Sequence, residues 1–425
     1  MTAWLSASTG GKVKLAEKRI PELLVPANNL DILKYAVQYG ADAVYVGGKR
    51  YNLRSIRGNF TVGELKKGIK YAHQKGVRIY LALNAVIHEE DLEGLESYLN
   101  KIKDLDIDGI IISDPGLIPL LKKSLPSAGI HISTQSNITN HLAVKAYAAM
   151  GAGRVNIARE ISFAGLKSII RNSPIEIEVF VHGALCISYS GRCMLSRYMT
   201  GRDANRGECA HSCRWKYYLM EEERPNLFFP VEQDKKGTYI YNSRDLCLLP
   251  VLDTLVGSGV HSIKIEGRMK TESYVSLVTW VYRKALDLIS DGSFTKKNIR
   301  YLMDELDKAS HRNFTRGFMF SRSSKELENN DNVGYIKKYD FIGTVSGWDK
   351  KYDEPVIMVR NQLKKGDELD ILMPEKAPVK LKALHIKDAV SGEEVPVANP
   401  NHKVIINGLS NINRYSILRR ESNNN

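Results

Sequence analysis

No apolar run long enough to span a membrane occurs anywhere in this 425-residue chain. A spanning helix would need roughly twenty consecutive apolar residues. The opening residues, MTAWLSASTGGKVKLAEKRI, also lack the apolar stretch of a secretory signal. They read as a flexible basic segment over 1–20, and the expected location is cytoplasmic, with no membrane partner. Cysteine is scarce, five residues in all, far too few for a disulfide scaffold. In a reducing compartment, clustered cysteines point to metal binding or catalysis instead. Two familiar site signatures are incomplete. GAGRVN at 151–156 has no third glycine and precedes a strand pattern, so it does not make a dinucleotide-binding turn. HEED at 88–91 lacks the second histidine of a zinc-protease helix.

What is present is a repeated unit: a short Val/Ile-rich run, a polar turn, then an amphipathic stretch. The predicted strands are ELLVPA (22–27), DAVYVG (42–47), VRIYLALN (77–84) and DGIIIS (108–113), then GIHIS (129–133), RVNIA (154–158), IEIEVFVHG (175–183) and HSIKIEG (261–267). Continuous apolar strands alternating with helices imply parallel strands covered by helices. Eight such units predict an α/β fold, a (β/α)8 TIM-type barrel over 21–320. An open doubly wound sheet is the alternative. One connection is irregular: an insertion at about 184–244 separates the seventh strand from a predicted helix, DLCLLPVLDTLVGSG (245–259). Long insertions on this face of a barrel are usually functional. Two helices follow the eighth strand. From about 333 to 422 the pattern changes to short alternating strands, which predicts a small all-β barrel domain.

The net charge is +13, an excess that favours polyanion partners because phosphate neutralisation releases counterions. Many basic enzymes never touch nucleic acid, so charge alone leaves this open. Four of the five cysteines lie within the insertion, spaced C-x6-C-x15-C-x3-C: Cys186, Cys193, Cys209 and Cys213. Zinc sites usually use tight pairs, and the first pair here is too wide for one. An iron–sulfur cluster, held by four thiolates, fits the irregular spacing better. Zinc and no metal stay open on spacing alone. Six basic side chains between 192 and 216 face only Asp203 and Glu208, which favours thiolate over thiol. Cys247 falls in the predicted apolar helix and reads as a buried structural residue. His182 stands four residues before Cys186, but nothing nearby supplies the orienting group that a thiol protease needs.

The segment EVFVHGALCISYSGRCMLS (178–196) carries a longer pattern, with Glu178, Phe180, Gly183, Ala184, Leu185, Cys186, Gly191, Cys193, Leu195 and Ser196 at its fixed places. This resembles the collagenase-like peptidase family. PELLVPANNLDILKYAVQYGADAVYVGG (21–48), RGNFT (57–61), IKIEGRMKTESYV (263–275) and NFTRGF (313–318) resemble it as well, so the likeness covers nearly the whole chain beyond residue 20. Several branches of that family are oxygen-independent hydroxylases with a [4Fe–4S] cluster on four cysteines. Their substrates include the wobble uridine of tRNA, a ribosomal RNA cytidine and ubiquinone precursors. The cysteine segment looks most like the tRNA branch, which uses prephenate as oxygen donor. The resemblance therefore implies Cys186, Cys193, Cys209 and Cys213 as cluster ligands. Cys247 is the alternative to Cys209 or Cys213 in that set. It also implies tRNA and prephenate as partners and leaves room for a related partner subunit, since some members act in pairs.

Polar residues just past the strand ends are candidate substrate contacts: Asn84, Asp114, Gln135, Arg159, His182, Glu266 and Arg268. Glu266 and Arg268 could grip a dicarboxylate, or merely pair with each other. His182 could move a proton, or be a satisfied core histidine. Arg197, Arg202 and Arg206 are the expected RNA phosphate contacts. Tyr189 and Tyr198 could stack on a base, or simply pack. The rival readings are a genuine peptidase, and an RNA-binding or assembly protein whose metal site is only structural.

Overall fold

The computed structural model describes residues 19–53, 58–186, 188–214, 232–234, 237–239, 244–321, 335–349, 354–409 and 412–422. The basic segment expected over 1–20 falls outside them except for Arg19 and Ile20.

All eight predicted strands form. They are Glu22–Pro26 (β1), Ala43–Gly47 (β2), Arg78–Leu83 (β3), Gly109–Ile112 (β4), Gly129–Ile132 (β5), Arg154–Asn156 (β6), Glu176–Ala184 (β7) and, after the insertion, Ser262–Ile265. Each pairs in parallel with the next, and Ser262–Ile265 pairs with both β7 and β1, closing the barrel. Between them run helices Leu30–Gln38 (α1), Val62–His73 (α2), Glu89–Ile102 (α3), Leu117–Ser124 (α4), His141–Met150 (α5) and Phe163–Asn172 (α6). Asn29, Thr61, Asn140 and Ser162 cap the starts of α1, α2, α5 and α6, their side-chain oxygens accepting a first-turn N–H.

Alternation along each strand divides the core in two. Leu23, Val25, Val44, Val46, Ile79 and Leu81 turn outward to the helices. Residues one position away turn inward, where Leu24, Ala43, Tyr45, Tyr80 and Ile111 form a separate cluster. The interior also holds a charged network. Arg154 binds Glu22 at 2.5 Å, Glu176 at 2.6 Å and Glu178 at 3.4 Å, and Lys264 binds Glu178 at 3.0 Å. Tyr80 donates to Glu22 at 2.7 Å and Asn156 to Glu178 at 2.7 Å. Burial alone would raise the Glu178 carboxyl, but Lys264 and Arg154 overcome it and hold it down at about 2. Side chains from β1, β3, β6, β7 and Ser262–Ile265 can meet this way only inside a closed barrel.

The predicted helix over 245–259 does not form as one piece. Within the insertion lie Leu195–Thr200 (α7) and the paired strands Glu232–Asp234 (β8) and Gly237–Tyr239 (β9). Asp245–Cys247 (β10) then runs antiparallel to β7, and a helix starts only at Leu252–Gly257 (α8). The Asp245 carboxylate accepts from the Arg312 backbone N–H at 3.1 Å and from its guanidinium at 2.7 and 3.0 Å, which fastens the segment in the sheet. Pro250 then sits in a short 3-10 turn that leads into α8. The eighth barrel strand, Ser262–Ile265, is β11, followed by Glu272–Ser290 (α9), Lys296–Leu306 (α10), Phe314–Thr315 (β12) and Gly317–Phe320 (α11).

The C-terminal part is all-β as expected, with a seven-stranded antiparallel sheet running from Tyr339–Asp349 to Ile417–Glu421. It has its own apolar core around Ile342, Ile357, Ile371, Val404 and Leu418. It is fastened to the barrel by polar bonds. Tyr39, which follows α1, donates to the carbonyls of Leu372 and Tyr415 at 3.0 and 2.8 Å. Arg419 reaches Glu305 of α10 at 2.7 Å and Asp370 at 3.2 Å.

Candidate active site

The C-terminal ends of the barrel strands form one face, and the cysteine segment leaves β7 directly onto it. Gly183 makes that departure possible. Its φ is +106°, and a Cβ there would stand 2.5 Å from the Glu266 carbonyl oxygen. Beyond Cys186 the chain folds through Tyr189–Gly191, α7, Ala204–Arg206 and Ser212–Arg214 in short turns. Asn205 clamps Cys193 from both sides, accepting from its N–H at 3.2 Å and donating to its carbonyl at 3.0 Å. The Ser196 hydroxyl accepts the Ala210 N–H at 2.9 Å, and the Cys209 sulfur accepts the His211 N–H at 3.4 Å.

Three barrel loops hold this segment down. After β3, the Val86 N–H donates to Asn205 O at 3.0 Å, and Arg206 forms a two-pronged pair with Asp91 at 2.7 and 3.0 Å. After β5, Asn137 donates to Tyr189 O at 2.9 Å, and Arg192 donates to Gln135 O at 2.7 Å. After β6, Glu160 accepts from the Ser190 N–H and hydroxyl, both at 2.6 Å, while Arg159 donates to Ala184 O at 3.1 Å. Gly191 lies so close to Gln135 that a Cβ would stand 2.6 Å from its amide nitrogen. The four thiols thus belong to a segment stitched across the mouth of the barrel.

None of the four is in a disulfide; Cys193 is buried and the others are half-buried. Their donor chemistry suits zinc or an iron–sulfur cluster. Among the described residues, no group of three or more His, Cys, Asp or Glu side chains stands close enough to hold a metal ion. Cys247 lies elsewhere, in β10 opposite His182. Its sulfur is 3.9 Å from that of Met303, and burial pushes its thiol up to about 12.

The other sequence candidates divide into two groups. Asn84 accepts the Leu53 N–H and donates to Ser133, each at 3.4 Å. Glu266 accepts from Tyr45 at 3.4 Å. With Gln135 and Arg159 they stand at the mouth. Asp114 serves its own loop, accepting the Gly116 N–H at 2.8 Å. Arg268 is buried and donates to Asn52 and Asn59 at 2.8 and 2.7 Å, bracing the loop after β2.

His182 does not fit a proton carrier at the mouth. It lies against Tyr274, Tyr282 and Phe314 on the outer wall, where burial holds its imidazole down at about 3. A bulge between Lys264 and Ile265 shifts the pairing there. Arg206, expected on phosphate, is committed to Asp91. Arg197 is exposed beside Asp203 at 3.3 Å, and Arg202 is exposed. Tyr198 is 84% exposed and stands in one short segment with exposed Tyr189, Met194 and Met199. Of the two basic residues that end the cysteine window, Arg214 closes the short turn Ser212–Arg214, and Lys216 lies outside the described residues.

Lys264 was not singled out from the sequence. Its ammonium lies 4.5 Å over the Tyr45 ring and 5.5 Å over the Phe180 ring, inside the barrel. The signal was present: Lys264 and Glu266 are two apart in one strand pattern, as are Glu178 and Phe180, which puts each pair on one face.

Comparison with known proteins agrees with this architecture. The pattern of peptidase family U32 matches residues 28–329, and that of the peptidase family U32 C-terminal domain matches 337–419. The chain is 38% identical to "tRNA hydroxylation protein P1" of Bacillus subtilis, with 87% of each chain covered. It is 39% identical to "Uncharacterized protease MJ0090" of Methanocaldococcus jannaschii, covering 83% of this chain and 86% of that one. It is 31% identical to "23S rRNA 5-hydroxycytidine C2501 synthase" of Escherichia coli, covering 83% of this chain and 52% of that one. On the family match and these identities, the chain belongs to peptidase family U32.

Proposed function

We propose that this chain is an RNA hydroxylase that forms 5-hydroxyuridine at the wobble position of tRNA. In this reading it works without molecular oxygen, takes prephenate as oxygen donor, and holds a [4Fe–4S] cluster on Cys186, Cys193, Cys209 and Cys213. The observation that carries the reading is the seat of the four-thiol segment across the barrel mouth, fixed by Asn137, Arg159, Glu160 and Asp91. Relatives named for tRNA and rRNA hydroxylation support the RNA substrate.

When bound, the cluster would supply a redox and Lewis-acid centre beside the substrate. The chain's own residues do the rest. Glu266 and Tyr45, with Asn84 and Gln135, offer the donors and acceptors that orient a small polar co-substrate at the mouth. The charged barrel floor beneath them is already paired. Exposed Tyr189 and Tyr198 offer faces for an unstacked base, and Arg192, Arg197 and Arg202 offer charge to its phosphates. A wobble base in an anticodon loop is already accessible, so little unstacking energy is needed.

Proteolysis by a cysteine is poorly supported. The pair considered from the sequence, Cys186 with His182, is not set up for it: His182 is buried on the outer wall against Tyr274, Tyr282 and Phe314, with its imidazole held down at about 3, while the Cys186 segment runs over the mouth. The test is a reaction of anaerobically purified protein with prephenate and tRNA lacking the modification. Appearance of 5-hydroxyuridine by mass analysis is expected. Peptide hydrolysis that survives chelation, with no change in the tRNA, would replace this reading by the peptidase one.

A further inference from the structure

Helix α2 carries its charge on one side. Lys66, Lys67 and Lys70 are exposed and share one solvent face with Gly63 and Gln74, while Leu65, Ile69 and Ala72 fill the face toward the barrel. None of the three lysines has an ion-pair or hydrogen-bond partner among the described residues. Glu64 is the one acid of α2, and it is turned back to accept from the Thr61 N–H and hydroxyl, both at 2.8 Å. Those bonds hold its carboxyl below the usual range, and Lys49 and Lys67 lower it further, which places both ammonium groups at the upper end of the helix. That end adjoins the mouth, where the Phe60 N–H donates to Gly47 O at 2.9 Å at the close of β2. From there α2 runs about 18 Å down the barrel wall, at 1.5 Å per residue. In its lower half Tyr71 meets Tyr415 of the all-β part, hydroxyl to hydroxyl at 3.0 Å, and Arg414 beside it is exposed.

The next helix has the opposite sign. Along its first two turns α3 exposes Glu89, Glu90, Glu93 and Glu96. A row of lysines bordered by acids attracts a polyanion and also fixes the direction in which it lies. The lysines recur at about one helical turn, roughly 5.4 Å, close to the distance between successive phosphates on a nucleic-acid strand. Each phosphate neutralised releases counterions, which supplies the binding energy. An anionic membrane surface is the weaker match. Interfacial helices add apolar anchors to their basic face, and none of the exposed large apolar side chains belongs to α2.

We propose that the outer face of α2 is a phosphate track for the double-stranded stem of the RNA whose loop is presented at the mouth. Lys49, Lys66 and Lys67 take the phosphates nearest the loop, and Lys70 and Arg414 take those further along the stem. The identity of the polyanion rests on the RNA hydroxylase reading above. The track itself is separate from the mouth, since none of its residues belongs to the cysteine segment or to the groups assigned there.

Titration of the full-length, anaerobically purified protein with unmodified tRNA, followed by fluorescence anisotropy from about 50 to 200 mM salt, tests it. Lys67→Glu/Lys70→Glu should weaken binding by roughly tenfold or more and reduce the salt slope by about two. Lys67→Gln/Lys70→Gln, which removes the charge without reversing it, should give a smaller loss in the same direction. Lys167→Glu/Arg171→Glu on α6 makes the same change in net charge on another exposed helix face and should leave affinity and slope nearly unchanged. Equal losses for the α2 and α6 variants, no loss for the α2 variants, or no binding of tRNA by the wild type overturns the track. So does an α2 variant that keeps tRNA binding but no longer binds phosphatidylglycerol vesicles. Hydroxylation assays separate this from the function itself: the α2 variants should raise KM for tRNA and keep kcat. If tRNA binding depends on α2 but the wild type forms no 5-hydroxyuridine, the track stands and the hydroxylase reading falls. If both proteins form 5-hydroxyuridine with the same KM, that reading stands and the track is overturned.

Discussion

One buried and one partly buried histidine contribute to the acid sensitivity of the fold. His131, inside the barrel, and His182, on its outer wall, are both held down at about 3, chiefly by burial. In the unfolded chain each takes up a proton near pH 6.5, and in the folded chain neither does until about pH 3. Stability is therefore whole above pH 6.5 and is lost as pH falls toward 3, at about 1.4 kcal/mol per pH unit for each histidine. Glu178, lowered to about 2, adds a further loss as pH falls below its ordinary range near 4.5. Urea unfolding at pH 7 and pH 5 should show a smaller difference for His182→Leu than for the wild type. An equal difference would mean that His182 is not the buried neutral group described. The sequence showed both histidines within strand patterns. Which wall of the barrel His182 faces depends on the bulge at Lys264/Ile265, which no spacing reveals.

Single elements hold the cysteine segment in place. Arg206→Ala removes the two-pronged pair with Asp91, a partly buried, charge-assisted contact. Faster amide exchange across 204–214 is expected, with the melting temperature of the barrel nearly unchanged. Gly183→Ala forces a Cβ against the Glu266 carbonyl at φ +106°, and should cost about 1–3 kcal/mol and disturb the segment's exit from β7. At this scale the sequence was informative wherever a periodic pattern existed, and all eight barrel strands could be read from it. Asp245–Cys247 could not, because its apolar run suits a helix as well as a strand. Arg312, 67 residues further on, decides between them through its bonds to Asp245. Lys264 shows the converse: a lysine within an apolar strand looks exposed until the barrel closes and Glu178 becomes its partner.

For the whole molecule, the barrel and the all-β part are joined by a small buried ionic group. Arg419 and Lys308 share Glu305 and Asp370 across the junction, with Lys308 at 2.6 and 2.7 Å from them. Removing one partner leaves charge buried without compensation, so Arg419→Met should cost about 3–5 kcal/mol. Loss of a single cooperative unfolding transition, followed by calorimetry, would accompany it. The two-part organisation was readable from the change of pattern near 333, but the joining residues were not, being single charges scattered over 305–419.

The four thiols carry the central claim, and tRNA itself reports on it. Mass analysis of nucleosides should be made on tRNA from cells lacking this gene and any related copy, with either wild-type protein or Cys193→Ser returned. The backbone of Cys193 is held by Asn205 through main-chain bonds, so the substitution removes a thiol and leaves its seat intact. Wild-type protein should restore 5-hydroxyuridine and the nucleosides made from it, and Cys193→Ser should not. An unchanged pool in the deletion strain, or full restoration by Cys193→Ser, would contradict the account.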